Sequence, residues 1–149
     1  MSSDPIGPRS IRAALPMALL RAREAVMARF RPILDAHGIN EQQWRVIRVL
    51  AEAGSLDATE LAARANILAP SLTRMIRTLD ERGLLVRGRD ADDGRRVILT
   101  ITPPGRALIE AVTPAATAAY ARIDNDFGPV RVAELITLLE ALSELPPEG

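Results

Sequence analysis

The strongest constraint on the fold lies between Asp57 and Thr102, where the spacing of apolar residues changes from a helical period to an alternating one. In the run Leu56-Asp57-Ala58-Thr59-Glu60, Asp57 is placed to cap a helix, with Glu60 three residues later as in a capping box. A short helix over 58–65 is predicted, then a break at Asn66-Ile67-Leu68. Pro70 suits the first turn of a second helix, which runs through Arg82 to a C-capping Gly83. Its inner face is Leu72, Met75 or Ile76, and Leu79; its other face carries Ser71, Thr73, Arg74 and Arg77. After Gly83, residues 84–89 and 95–102 alternate around the acidic turn Asp90-Ala91-Asp92-Asp93-Gly94, which predicts a β-hairpin ended by Pro103, Pro104 and Gly105. Two short helices with a tight break, followed by a hairpin, make a helix-turn-helix with a wing.

The flanking segments read as helices. Residues 1–10, with two prolines and a glycine, read as a loose arm. From Ile11 to about Ala36 the pattern is helical, with Leu19, Val26, Met27, Phe30, Ile33 and Leu34 on one arc and Arg21, Glu24 and Arg31 off it. Pro32 is expected to kink or nearly end this helix. His37-Gly38-Ile39-Asn40 is a stop followed by an N-cap, and a helix over 41–53 is closed by Gly54. Thr102 can cap a helix to about Phe127 with an expected kink at Pro114, and a last helix covers 130–145. There Val132, Leu135, Leu138, Leu139, Leu142 and Leu145 form an apolar face suited to a core or a subunit interface. The expected class is mostly α, an α+β winged helix-turn-helix of six helices with a two- to three-stranded wing.

Charge gives this architecture a partner. The 149 residues carry 19 basic and 19 acidic side chains, and every basic one is arginine. The zero net charge is a cancellation. Residues 1–40 hold six arginines against three acids, 41–63 two against four, 64–106 nine against five, and 107–149 two against seven. The positive block coincides with the second short helix and the wing, which points to phosphate. Without cysteine there is no disulfide framework and no thiol chemistry, and the single His37 rules out a multi-histidine metal site. No apolar run approaches a membrane span and residues 1–8 show no signal core, so a soluble, cytoplasmic protein is expected. With no phosphate-cradling glycine loop and no nucleophile–base pair, an enzyme is the weakest reading, and neither cofactor nor metal is expected.

In such a head the second helix presents its N-terminal side chains to the major groove of DNA. Ser71, Thr73, Arg74 and Arg77 are the candidates, Arg77 being equally suited to a phosphate. On the wing, Arg87 and Arg89 precede the turn, and Arg95 and Arg96 follow it. Arg95 suits a narrow minor groove, or alternatively a structural pair with Asp93, which could hold the wing in shape. Arg23 falls near the centre of the apolar arc, where a guanidinium needs an anion. That anion is either the carboxylate of a small effector or an acid of another helix. Trp44 either stacks on an aromatic ligand or packs in the core. Arg45 either faces a ligand or pairs with Glu41 or Glu52, and His37 either donates to an effector or caps its helix.

The run Leu68…Ser71-x-Thr73-Arg74…Leu79…Arg82-Gly83-Leu84…Arg87…Asp93-x-Arg95…Leu99…Thr102-x-x-Gly105 resembles the MarR family of bacterial winged-helix regulators. Gly94 departs from it, since many members carry an arginine there. The blocks Leu19-Leu20-Arg21-Ala22-Arg23-Glu24-Ala25, Phe30-Arg31-Pro32-Ile33 and Glu41-Gln42-Gln43-Trp44-Arg45 are similar to the subgroup that controls homoprotocatechuate (4-hydroxyphenylacetate) degradation. The resemblance implies a single MarR-like domain over 1–149, with dimerisation helices at 11–40 and 103–145 and a DNA-binding region at 41–102. It implies a homodimer on a pseudo-palindromic operator, released by a small aromatic carboxylate. The alternatives are a regulator answering another small molecule, such as a xenobiotic or antibiotic, and a winged helix that binds protein rather than DNA.

Overall fold

The computed structural model describes residues 14–148; the expected N-terminal arm and the start of the first helix lie outside them. Six helices and three strands follow in the order α1 (Leu15–Ala36), α2 (Glu41–Ala53), β1 (Ser55–Asp57), α3 (Ala58–Ala65), α4 (Ala69–Glu81), β2 (Leu85–Arg89), β3 (Val97–Ile101), α5 (Pro103–Phe127) and α6 (Pro129–Ser143).

Local signals set most boundaries. Asn40 accepts from the Gln43 amide at 2.8 Å while the Gln43 side chain accepts from the Asn40 amide, a reciprocal capping box that starts α2. The Asp57 carboxylate accepts from the Glu60 amide and starts α3. Asn66, at φ 55° in the left-handed region, ends α3 and makes the tight turn into α4. Thr102 accepts from the Gly105 amide to start α5, and its hydroxyl donates to the Gly83 carbonyl at 2.6 Å. Pro103 and Pro104, which end the hairpin, form the first turn of α5 behind the Thr102 cap, where a missing N–H leaves nothing unsatisfied.

The segment read only as a cap for α3 also contributes β1, which pairs antiparallel with β3 through Leu56 opposite Leu99. The sheet order is β1-β3-β2, so the wing has three strands and grows from the helical core. Its central strand β3 is shorter than the alternation suggests, because Arg95 and Arg96 belong to the turn and Thr102 to the helix cap. Helix α1 ends at Ala36, as expected, four residues past Pro32, and α5 runs unbroken through Pro114.

Val46, Ile47, Leu50, Leu61, Leu72, Leu79, Leu85, Leu99 and Val112 are fully buried, joining α2, α3, α4, the wing base and α5 in one core. Ile76 rather than Met75 completes the inner face of α4. Gly105 lets the wing base meet α5: a Cβ there would strike the Leu84 carbonyl oxygen and stand 2.6 Å from Ile101 Cδ1. No residue of α6 is buried within the single chain, and Leu135, Leu138 and Leu139 stand exposed, as do Leu15, Leu19 and Leu20 of α1.

Candidate nucleic-acid interface and effector cavity

Helix α4 buries Leu72, Ile76 and Leu79 against the core, which turns the opposite face outward. Thr73, Arg74 and Arg77 are exposed on that face and Ser71 is half-buried beside them. Thr73 donates to the Ala69 carbonyl at 3.1 Å, so its methyl and hydroxyl are held against the first turn. Among the described residues, the guanidinium groups of Arg74, Arg77 and Arg95 make no ion pair and no hydrogen bond. They are cations presented to solvent.

The other wing arginines are engaged. Arg87 reaches back to Asp80 of α4, with Nε and Nη2 each 2.9 Å from Oδ2. Arg89 donates to the Gly94 carbonyl at 2.7 Å and braces the turn. Arg96 holds three acids: Asp57 at 2.8 Å, Asp90 at 3.2 Å and Glu60 at 3.4 Å. It ties the wing to the start of α3. The Asp57 carboxyl is held below its ordinary value, first by the Glu60 amide and then by Arg96. Asp93 accepts the Arg95 amide at 3.0 Å, and its carbonyl accepts the Arg96 amide, so it shapes the turn through the backbone. The Arg95 side chain is thereby left projecting. Of the recognition-helix and wing residues, Thr73, Arg74, Arg77 and Arg95 are exposed without ion pairs, Ser71 is half-buried, and Arg87, Asp93 and Arg96 make hydrogen bonds within the head.

A cavity of about 490 Å³ opens between α1, α2 and α5. Its walls include Phe30, Trp44 and Tyr120, with Phe30 and Tyr120 packed at 4.6 Å between ring centroids and tilted by 49°. Arg45 and Arg48 supply its cations. Arg45 stands 3.8 Å from Glu41, its Nε is buried with no hydrogen-bond partner, and burial, then Arg23, pull its pKa below the ordinary arginine value. Glu41 also receives Arg23 in a close ion pair, with Arg31 at 4.0 Å. Three arginines therefore crowd one carboxylate at the cavity's edge.

The expected effector residues separate accordingly. Trp44 and Arg45 line the cavity; Arg23 does not, but it pairs with Glu41, which does, and with Glu24. His37 lies outside it too: its Nδ1 donates to the Ile33 carbonyl at 2.9 Å, closing the end of α1. Sequence reasoning missed Arg48 and Tyr120. Arg48 follows Trp44 by one helical turn, a spacing that could have signalled a shared face; Tyr120 carried no local signal.

The chain matches the MarR family over residues 39–97. It is 41% identical over 127 residues to the homoprotocatechuate degradative operon repressor of Escherichia coli, covering 85% of this chain and 86% of that one. The crystal structure of NadR in complex with 4-hydroxyphenylacetate superposes with a TM-score of 0.80 at 40% identity, covering 95% of this chain and all of that one. The repressor CouR bound to a 23-mer DNA duplex superposes with a TM-score of 0.82 at 27% identity, covering 92% of this chain and all of that one. With 41% identity sustained across the repressor and a solvent-facing arginine helix beside a braced wing, this chain belongs to the MarR family of transcriptional regulators, not to an enzyme family.

Proposed function

We propose that the chain is a cytoplasmic, homodimeric repressor of an aromatic-acid catabolic operon, released from DNA when a small aromatic carboxylate fills the cavity between α1, α2 and α5. Residues 41–102 form the reading head; residues 11–40 and 103–145 form the dimer. The open leucines of α6 and the exposed apolar start of α1 support that division, since apolar faces of this kind are ordinarily covered by a second subunit. Ser71, Thr73, Arg74 and Arg77 enter the major groove, with Arg95 at the minor groove; Arg87, Asp93 and Arg96 act by holding the head in shape.

The observation that carries the effector reading is Arg45. It lines a cavity whose walls also carry Phe30, Trp44 and Tyr120, and it shares its Glu41 partner with Arg23 and Arg31. A ligand carboxylate gives that guanidinium an anion of its own, and an aromatic ring fills the space beside Trp44 and Tyr120. Arg48 supplies a second donor. Arg23 acts at one remove, by holding Glu41 away from full pairing with Arg45. The 4-hydroxyphenylacetate bound by the similar NadR is a molecule of this class.

Release follows from geometry. Two recognition helices must enter successive major grooves about 34 Å apart, and a ligand wedged between α1, α2 and α5 favours a dimer in which that spacing fails. The test is titration of the protein–operator complex with hydroxyphenylacetates, benzoates and cinnamates. Release by one of these classes is expected. Release only by an unrelated xenobiotic would overturn the effector and leave the DNA reading intact.

A further inference from the structure

Leu68 is the N-cap of the recognition helix α4, and it makes no side-chain capping bond. That position favours Ser, Thr, Asp or Asn, whose oxygen accepts a free amide of the first turn. The caps of α2, α3 and α5 all use such residues: Asn40, Asp57 and Thr102. Leucine forgoes that stabilisation at the helix expected to meet DNA. Packing does not explain it either, because Leu68 is 79% exposed, the highest value among the exposed large hydrophobic residues described. Unlike the open leucines of α1 and α6, it lies on the reading head, away from the faces assigned to the dimer.

Its neighbours extend the apolar character. Ala69 and Pro70 are exposed beside it, and Ala62, Ala63 and Ile67, with the polar Asn66, share a shallow hollow with it. The polar residues Ser71, Thr73, Arg74 and Arg77 follow along the helix. The N-terminal end of a recognition helix is the part that reaches base edges. On the major-groove floor the one apolar feature is the thymine C5-methyl group.

Resting on the DNA-binding reading, we infer that Leu68 is a specificity-determining residue whose side chain covers a thymine methyl in each operator half-site. The head then reads two chemistries from one helix: thymine at its apolar N-terminal corner, and a hydrogen-bonding base or phosphate nearly two turns on through Arg74.

A duplex selected by the wild-type protein from a randomised pool provides the probe. Each thymine is replaced in turn by uracil, which removes the methyl and keeps every hydrogen-bonding group. Burial of one methyl makes the expected loss about four-fold per contacted thymine for the wild type. Leu68→Ser supplies a conventional cap, so its thermal midpoint should equal or exceed the wild-type value. Its affinity for the thymine duplex should fall by about the same four-fold factor per half-site, with the uracil penalty abolished at that position. An unchanged uracil penalty in Leu68→Ser overturns the assignment, as does a selected site in which no uracil replacement weakens wild-type binding. Failure of the wild type to select any duplex would refute the DNA reading itself, a result distinguishable from either.

Discussion

Gly105→Ala sets two physical effects against each other, and the structure decides their sign. Gly105 occupies the first turn of α5, where helix propensity alone favours alanine by up to about 1 kcal/mol. Its added Cβ, however, would strike the Leu84 carbonyl and stand 2.6 Å from Ile101 Cδ1. Reaching ordinary contact requires a shift of about 1 Å in a close-packed junction, and overpacking of this kind costs about 1–3 kcal/mol. The Leu84 carbonyl also accepts the Thr102 amide, so displacing it weakens a bond worth about 1 kcal/mol. The balance is a net loss near 2 kcal/mol, which lowers Tm by roughly 4–8 °C for a chain of this size. Circular dichroism melting at fixed protein concentration measures it. Gly88→Ala is the control, because nothing lies within 4 Å of that Cβ and its midpoint should stay unchanged. A Gly105→Ala protein melting at or above the wild-type temperature would refute the close-approach reasoning and leave propensity as the ruling effect.

Other outcomes follow from the head and the cavity. Arg74→Ala and Arg95→Ala should each weaken operator binding and lower its salt dependence by about one unit of slope per lost phosphate contact, measured by anisotropy across salt concentrations; unchanged slopes and affinities in both would remove them from the interface. Arg45→Met should abolish ligand-induced release while operator affinity persists, since it removes a guanidinium lining the cavity and keeps most of the side-chain volume. The folded-state pKa of Asp57 lies below its unfolded value, so its contribution is complete above about pH 4 and is lost as pH falls through the lowered value. Asp57→Asn keeps a capping oxygen but no charge; urea midpoints between pH 3 and 6 should therefore fall less steeply on the acid side than in the wild type.

Features set by neighbouring residues were legible in the sequence. The caps at Asn40, Asp57 and Thr102, the inner face of α4 and the Asp-Gly turn each depend on chemistry within a few positions. Strand β1 was hidden because three residues show no period, and Ser55–Asp57 becomes a strand only by pairing with β3 more than forty residues later. The cavity was hidden for the same reason. Trp44 and Arg45 stood out as unusual residues on one helix, but Tyr120 enters through the packing of α5 on α1. Arg23 was visible as a cation on an apolar arc; its partner Glu41 lies across the turn at Gly38, whose φ of 66° brings α2 back beside α1. The engagement of Arg96 with Asp57 and Glu60 likewise spans chain distances that periodicity does not register.

The ties made by Arg87 to Asp80 and by Arg96 to Asp57 bind the wing to α4 on one side and to α3 on the other. Recognition helix and wing thus travel as a single block. Helix α5 leaves that block at the wing base and runs 25 residues toward α6. At about 1.5 Å per residue it is a lever close to 37 Å long. In the proposed dimer, a tilt of about 5° at its far end carries the whole block about 3 Å, several times the distance range that a hydrogen bond tolerates. A ligand no larger than one aromatic ring, seated beside the lever, needs no loop to melt and no wing to bend. It has only to lean the shaft, and both heads lose their grip together.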